Sequence, residues 1–141
     1  MKPSGIFLVV DDDPDEHELF TIAMAQLGLA NKIVIRNNGK EALDYLKSTD
    51  TETFVILSDM DMPVMGGLEF KESIENDPEL KGKAIPFIFH SNAGQREDII
   101  KAYTLNIQGY FAKAMTLDGT IASLEKIIAF WTDCIHPKNL K

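Results

Sequence analysis

TFVILSDMDMPVMGG, residues 53–67, decides the fold. Phe54, Val55, Ile56 and Leu57 form an apolar, largely β-branched run too short for a helix of its own, the composition of a strand buried on both faces. The run stops at Ser58-Asp59, and Pro63 with Gly66-Gly67 forces an irregular loop. Open α/β sheets place their chemistry at the carboxyl ends of buried strands, which is where Asp59 falls. The plainer reading makes Asp59 a turn or cap residue, and the rest of the chain must decide between the two.

Working outward, residues 6–10 (IFLVV) form a second apolar strand that also ends in acids, Asp11-Asp12-Asp13. Asp13 suits an N-cap, Pro14 the first helical turn, and Asp15 and Glu16 the positive end of the helix. Phe20, Ala23, Met24 and Leu27 then recur at helical spacing, and Gly28 ends the helix. Residues 32–36 read as a strand, and residues 40–47 as a helix burying Ala42, Leu43 and Leu46. A third helix spans 67–76. Residues 84–90 give a fourth strand with Pro86 near its start, residues 95–105 a fourth helix, and residues 109–112 a fifth strand that ends at Lys113. The last helix, 117–134, repeats Leu117, Ile121, Leu124, Ile128 and Trp131 at spacings of four and three, a core-facing stripe whose regularity is compatible with a dimer contact. His136-Pro137 ends it and leaves a polar tail, about 135–141.

Strands and helices alternate, roughly five of each, which predicts one α/β domain over 1–141, core about 5–131. Its fold is a doubly wound, five-stranded parallel sheet with helices on both faces. All strand carboxyl ends then share one edge, so Asp11, Asp12, Asp59, Ser91 and Lys113 should converge. That convergence favours a site at Asp59. Two unit charges 4 Å apart repel by about 4 kcal/mol at an effective dielectric of 20, so three carboxylates together call for a cation. Oxygen-only ligands favour Mg²⁺. A carboxylate can accept a phosphoryl group, with Lys113 and Ser91 placed to bind its oxygens.

Composition narrows the alternatives. At 141 residues the chain is long enough to bury a core, and a net charge of −8 makes a nucleic-acid groove a poor fit. The single cysteine, Cys134, allows no intrachain disulfide and fits a reducing, cytoplasmic compartment. No stretch approaches a membrane span.

Five motifs, VVDDDPDE, NGKEAL, DMDMPVMGG, IPFIFHS and GYFAK, stand in the order and at the strand ends found in receiver domains of two-component response regulators. The chain resembles that family from about residue 5 to 131. The resemblance implies a flavodoxin-like receiver fold, Asp59 as phospho-acceptor, and Mg²⁺ bound by Asp11, Asp12, Asp59 and the backbone carbonyl of Asp61. It also implies Ser91 and Lys113 as phosphoryl-binding residues, Ser91 and Tyr110 as the switch, and Asp61 and Ala93 as positions that tune dephosphorylation. The donor would be a histidine kinase or a histidine phosphotransfer protein. The output would pass to a protein target through the face formed by the fourth predicted helix, fifth strand and last helix, the surface the family commonly uses and the one a homodimer would share. Beyond self-phosphorylation and self-dephosphorylation no enzymatic activity is expected.

Three positions depart from the family pattern. Ala114 replaces the usual proline after the lysine; a cis bond there would cost about 2.5–4 kcal/mol, so a trans loop is expected. Asn92 stands where a smaller residue is usual and would narrow access to Asp59. His90 takes a normally apolar strand-end position, where a half-buried, hydrogen-bonded histidine is expected. Two rival readings remain: a pseudo-receiver that is never phosphorylated, and a haloacid-dehalogenase-like phosphatase, whose DxD motif Asp59-Met60-Asp61 resembles. The latter needs downstream acidic ligands, whereas Asp11-Asp12 lie upstream.

Overall fold

The computed structural model describes residues 4–92 and 94–137. Five strands, β1 (Ile6–Val10), β2 (Ile33–Arg36), β3 (Thr53–Ser58), β4 (Phe87–His90) and β5 (Gly109–Phe111), pair in the order β2-β1-β3-β4-β5, all parallel. The order reverses direction between β1 and β3, so the crevice at their carboxyl ends is the topological switch point. Among the described residues, six helices connect and cover the sheet: α1 (Pro14–Gln26), α2 (Gly39–Ser48), α3 (Gly67–Glu75), α4 (Pro78–Gly82), α5 (Arg96–Thr104) and α6 (Leu117–Asp133).

Strand periodicity builds two cores. Ile6, Leu8, Val10, Ile56, Phe87 and Phe89 point to one face and meet Leu43 and Leu46 of α2, Phe70 and Ile74 of α3 and Ala102 of α5. Phe7, Val9, Val55, Leu57 and Ile88 point to the other, against Phe20, Ala23 and Met24 of α1 and Leu124 and Ile127 of α6. The central strands β1 and β3 are buried along their whole length, as their unbroken apolar runs require. The regular stripe of α6 lies in the second core, with Leu124 fully buried and Leu117, Ile121, Ile128 and Trp131 packed around it.

Four expectations need correction. The third helix stops at Glu75, and a sixth, unpredicted helix follows, because Asp77 accepts from the backbone N–H groups of Glu79 and Leu80 and Pro78 occupies the first turn. The fourth predicted helix is therefore α5, and the last is α6. The fourth strand begins at Phe87 rather than residue 84: Ala84 sits at φ 51°, outside strand geometry, and pairing starts only where the Pro86 carbonyl accepts from Ile56. His136 does not belong to a polar tail. It is 2% exposed, lies flat on Phe54 at 4.6 Å, and its Nε2–H donates to the Phe54 carbonyl at 2.7 Å. The fourth correction, at His90, belongs to the site. Ala93 and residues 138–141 of the tail lie outside the described residues.

Candidate functional site

The β1 and β3 carboxyl ends are adjacent because Val10 and Ser58 are register partners, and the Asp59 N–H donates to the Val10 carbonyl at 2.8 Å. Asp11 and Asp59 therefore leave the sheet side by side. Asp11, Asp12 and Asp59 each bring a carboxylate oxygen to within 4.8 Å of the others, a group able to hold a metal ion. Asp11 is buried, Asp59 is almost so at 9% exposure, and Asp12 faces solvent. The donor set is all oxygen, which fits a hard cation rather than a thiophilic one.

Local chemistry fixes each group. Asp11 Oδ1 accepts from the Asp13 N–H at 2.9 Å, and Asp13 Oδ1 accepts from the Asp15 N–H at 2.9 Å, which starts α1 directly behind the acids. His17 Nε2–H donates to the Asp11 carbonyl at 2.5 Å and ties that first turn back to β1. Asp59 Oδ1 accepts from its neighbour's N–H, Met60, at 2.7 Å and from the Ser91 hydroxyl at 2.5 Å. Gly67 allows this loop to close: a β-carbon there would collide with the Asp59 carbonyl and the Phe89 ring.

Lys113 reaches over from the end of β5. Its Nζ lies 2.8 Å from Asp11 Oδ2 and 3.0 Å from Asp59 Oδ2. Burial alone would lower its pKa, but the hydrogen bonds and charges of the two aspartates more than reverse this and hold the ammonium well above its ordinary range. Asp11 shows the strain that one lysine leaves behind. Burial, with a contribution from the Asp59 charge, raises its carboxyl above the usual range despite Lys113 and the Asp13 N–H. The Lys113-Ala114 peptide is trans, as the missing proline predicts.

The Tyr110 hydroxyl hydrogen-bonds Ser91 while its ring tilts against Phe89 at 5.6 Å. The Ser91 proton is directed to Asp59, so Tyr110 is the donor to the serine oxygen, and the chain Tyr110–Ser91–Asp59 is continuous. Asp61 is exposed on the loop after Asp59. The Asn92 amide donates to the Met115 sulfur at 3.2 Å, which joins the loops after β4 and β5. The structure thus brings Asp11, Asp12, Asp59, Ser91, Lys113 and Tyr110 to one edge.

His90 overturns its expectation. It is 3% exposed, and neither ring nitrogen has a hydrogen-bond partner. Burial, then the Lys113 charge, push its pKa down to about 4. Glu16 Oε2 lies 3.9 Å from His90 Nδ1, although in the sequence Glu16 reads only as a charge favourable to the helix terminus. Glu16 lies four residues before Phe20, in phase with the buried stripe of α1, and that spacing was the available signal of its burial.

A parallel five-stranded sheet with three carboxylates, a lysine and a hydroxyl at its switch point defines the class: the chain belongs to the response regulator receiver domain family, whose family model matches residues 7–125. The relatives it resembles include the response regulator Rcp1 of Synechocystis sp., 22% identical over 95% of this chain and 93% of that one, and the chemotaxis protein CheY-3 of Vibrio cholerae, 30% identical over 85% and 88%. Among solved structures it is similar to the phosphorylated cyanobacterial phytochrome response regulator RcpA, with a TM-score of 0.82 and 26% identity over 94% of this chain and 98% of that one. The Mn²⁺-bound form of Rcp1 shares the fold at a TM-score of 0.79 and 22% identity, covering 94% of this chain and 97% of that one. Among the described residues, no helix is long and apolar enough to cross a membrane.

Proposed function

We propose that this receiver domain accepts a phosphoryl group on Asp59 from a phosphohistidine of a histidine kinase or a histidine phosphotransfer protein, with Mg²⁺ as the ion held by Asp11, Asp12 and Asp59 and by the backbone carbonyl of Asp61. The observation that carries this reading is the convergence of Lys113 and Ser91 on the two oxygens of Asp59. A carboxylate oxygen of Asp59 attacks phosphorus, the P–N bond breaks, and the imidazole leaves. Bound Mg²⁺ supplies charge neutralisation for the transferring group. Lys113 gives the same service from the protein side. Ser91 turns its hydroxyl from Asp59 to a phosphoryl oxygen, and Tyr110 follows because it donates to Ser91.

Magnitudes support a switch. Charge-assisted hydrogen bonds from Ser91 and Lys113 contribute about 1.5–3 kcal/mol each, together roughly 3–6 kcal/mol. Moving a two-state equilibrium from 1:99 to 99:1 takes about 5.5 kcal/mol. The output surface is the face of α5, β5 and α6, on which Ile100, Tyr103 and Phe130 are half or more exposed, apolar area suited to a protein target or a second copy. Asp61 and Ala93 tune the lifetime of the phosphoryl group, and the domain signals rather than turns over a substrate.

The test is intact-protein mass after incubation with acetyl phosphate and Mg²⁺. A gain of one phosphoryl group, abolished by Asp59→Asn and by chelation, is expected. A folded, Mg²⁺-binding protein that gains nothing from either acetyl phosphate or a kinase donor would instead be a phosphorylation-independent interaction module. For the switch, hydrogen-exchange protection across α5, β5 and α6 should change when beryllofluoride, a phosphoryl mimic, binds. Unchanged protection would remove that face from the mechanism.

A further inference from the structure

Glu16 and His90 form a buried pair that phosphoryl acceptance, as described, does not use. The Asp13-x-x-Glu16 spacing would suit a capping box, in which the glutamate accepts from the N–H of the cap residue. Here that N–H is taken by Asp11. Glu16, 4% exposed, faces His90 at the end of β4 instead, with Oε2 and Nδ1 3.9 Å apart. This is too long for a hydrogen bond. Glu16 Oε2 and both ring nitrogens of His90 are buried without partners, and the Phe20 ring closes the contact edge-on at 5.2 Å. An apolar pair would serve the core better than three unsatisfied polar atoms.

The charges facing the pair are those of the phosphorylation site: Asp11 and Asp13 from the loop after β1, Asp59 from the end of β3 and Lys113 from the end of β5. Phosphorylation changes their balance in one direction. It replaces a carboxylate by a group carrying roughly −1.5 to −2 charges and draws Lys113, which opposes protonation of His90, onto phosphoryl oxygens.

We propose that Glu16 and His90 are a one-proton store coupled to Asp59: the pair takes up a proton when the phosphoryl group arrives, closes its gap into a charge-assisted hydrogen bond, and releases the proton when the group leaves. This rests on Asp59 being the phospho-acceptor. By linkage, the phosphorylated form is then favoured as pH falls. The window is set by His90, which burial and Lys113 hold at about 4 in the unphosphorylated protein against an ordinary 6.5. Burial raises the Glu16 carboxyl as well, with the charges of Asp11, Asp13 and Asp59 adding to it against Lys113. Between about 4 and 6.5 the resting His90 is therefore neutral, and that is the range in which the arriving phosphoryl group can load it.

The experiment is calorimetric titration of the full chain with beryllofluoride at saturating Mg²⁺, near pH 6, in two buffers of different ionisation enthalpy. The wild type should take up roughly 0.3–1 proton more per mole bound than the variant carrying both Glu16→Met and His90→Val. Equal uptake by the two overturns the proposal. Should the variant not fold, imidazole NMR of the wild type gives the same answer: beryllofluoride should move the His90 midpoint upward, and an unmoved midpoint overturns the store. If wild type binds no beryllofluoride, it is the assignment of Asp59 that fails, and the store falls with it.

Discussion

Val64 is a β-branched residue held at φ 68° with 81% of its surface exposed, five residues after Asp59. The left-handed region costs a non-glycine residue roughly 1–2 kcal/mol, and Asn106, also left-handed at φ 66°, is the residue type that tolerates it. Val64 gains no buried contact in exchange. Val64→Asn should therefore raise stability by about 1 kcal/mol in urea unfolding, with Mg²⁺ affinity unchanged. A loss of stability would mean that the valine side chain holds the loop through contacts the folded chain makes despite its exposure. Gly67, three residues on, behaves oppositely. A β-carbon there would run into the Asp59 carbonyl and the Phe89 ring, so Gly67→Ala should displace Asp59 as well as destabilise the protein, and phosphorylation by acetyl phosphate should fall with it.

At the scale of elements, the segment after α6 is a clasp on β3. His136 stacks on Phe54, meets the Trp131 ring edge-on at 5.1 Å and donates to a strand carbonyl, so it pins the end of α6 to the amino end of the central strand. Removing a buried ring and leaving a carbonyl without its donor should cost about 2–4 kcal/mol. His136→Ala should lower the denaturation midpoint accordingly and red-shift the fluorescence of Trp131, the single tryptophan. A loss below about 0.5 kcal/mol would show the clasp to be passive. Nothing in the local pattern announced it. His136-Pro137 reads as a helix stop, and only the tertiary position of Phe54 turns the histidine inward. The same limit explains α4: Asp77-Pro78, directly after the predicted end of the third helix at residue 76, stops one helix and equally starts another.

Across the whole molecule, what was legible followed from periodicity and strand ends. Unbroken apolar runs at β1 and β3 gave buried parallel strands, and a shared carboxyl edge then gathered Asp11, Asp12, Asp59, Ser91 and Lys113. What was not legible depended on which polar groups meet in the interior. His90 and Glu16 are 74 residues apart in sequence, and each alone supports an ordinary reading. Their pairing sets the last prediction. An unfolded histidine protonates near 6.5, whereas folded His90 does so near 4, so the unfolded state binds more protons in between and stability falls as pH falls through that window. A depression of this size corresponds to about 3 kcal/mol. Glu16 acts with the opposite sign, because its raised pKa removes stability as pH rises past the ordinary glutamate range. The Glu16→Gln background isolates the histidine. There, urea midpoints should fall from pH 6.5 to pH 4 by far more than in the same background carrying His90→Val. At neutral pH, Glu16→Met with His90→Val should be more stable than wild type by about 1–4 kcal/mol, since a well-packed apolar pair outperforms a buried polar one. Parallel pH profiles and a destabilised double variant would make the pair a structural element. The expected result shows a core that gives up stability to keep a titratable pair behind the carboxylates of Asp11, Asp12 and Asp59.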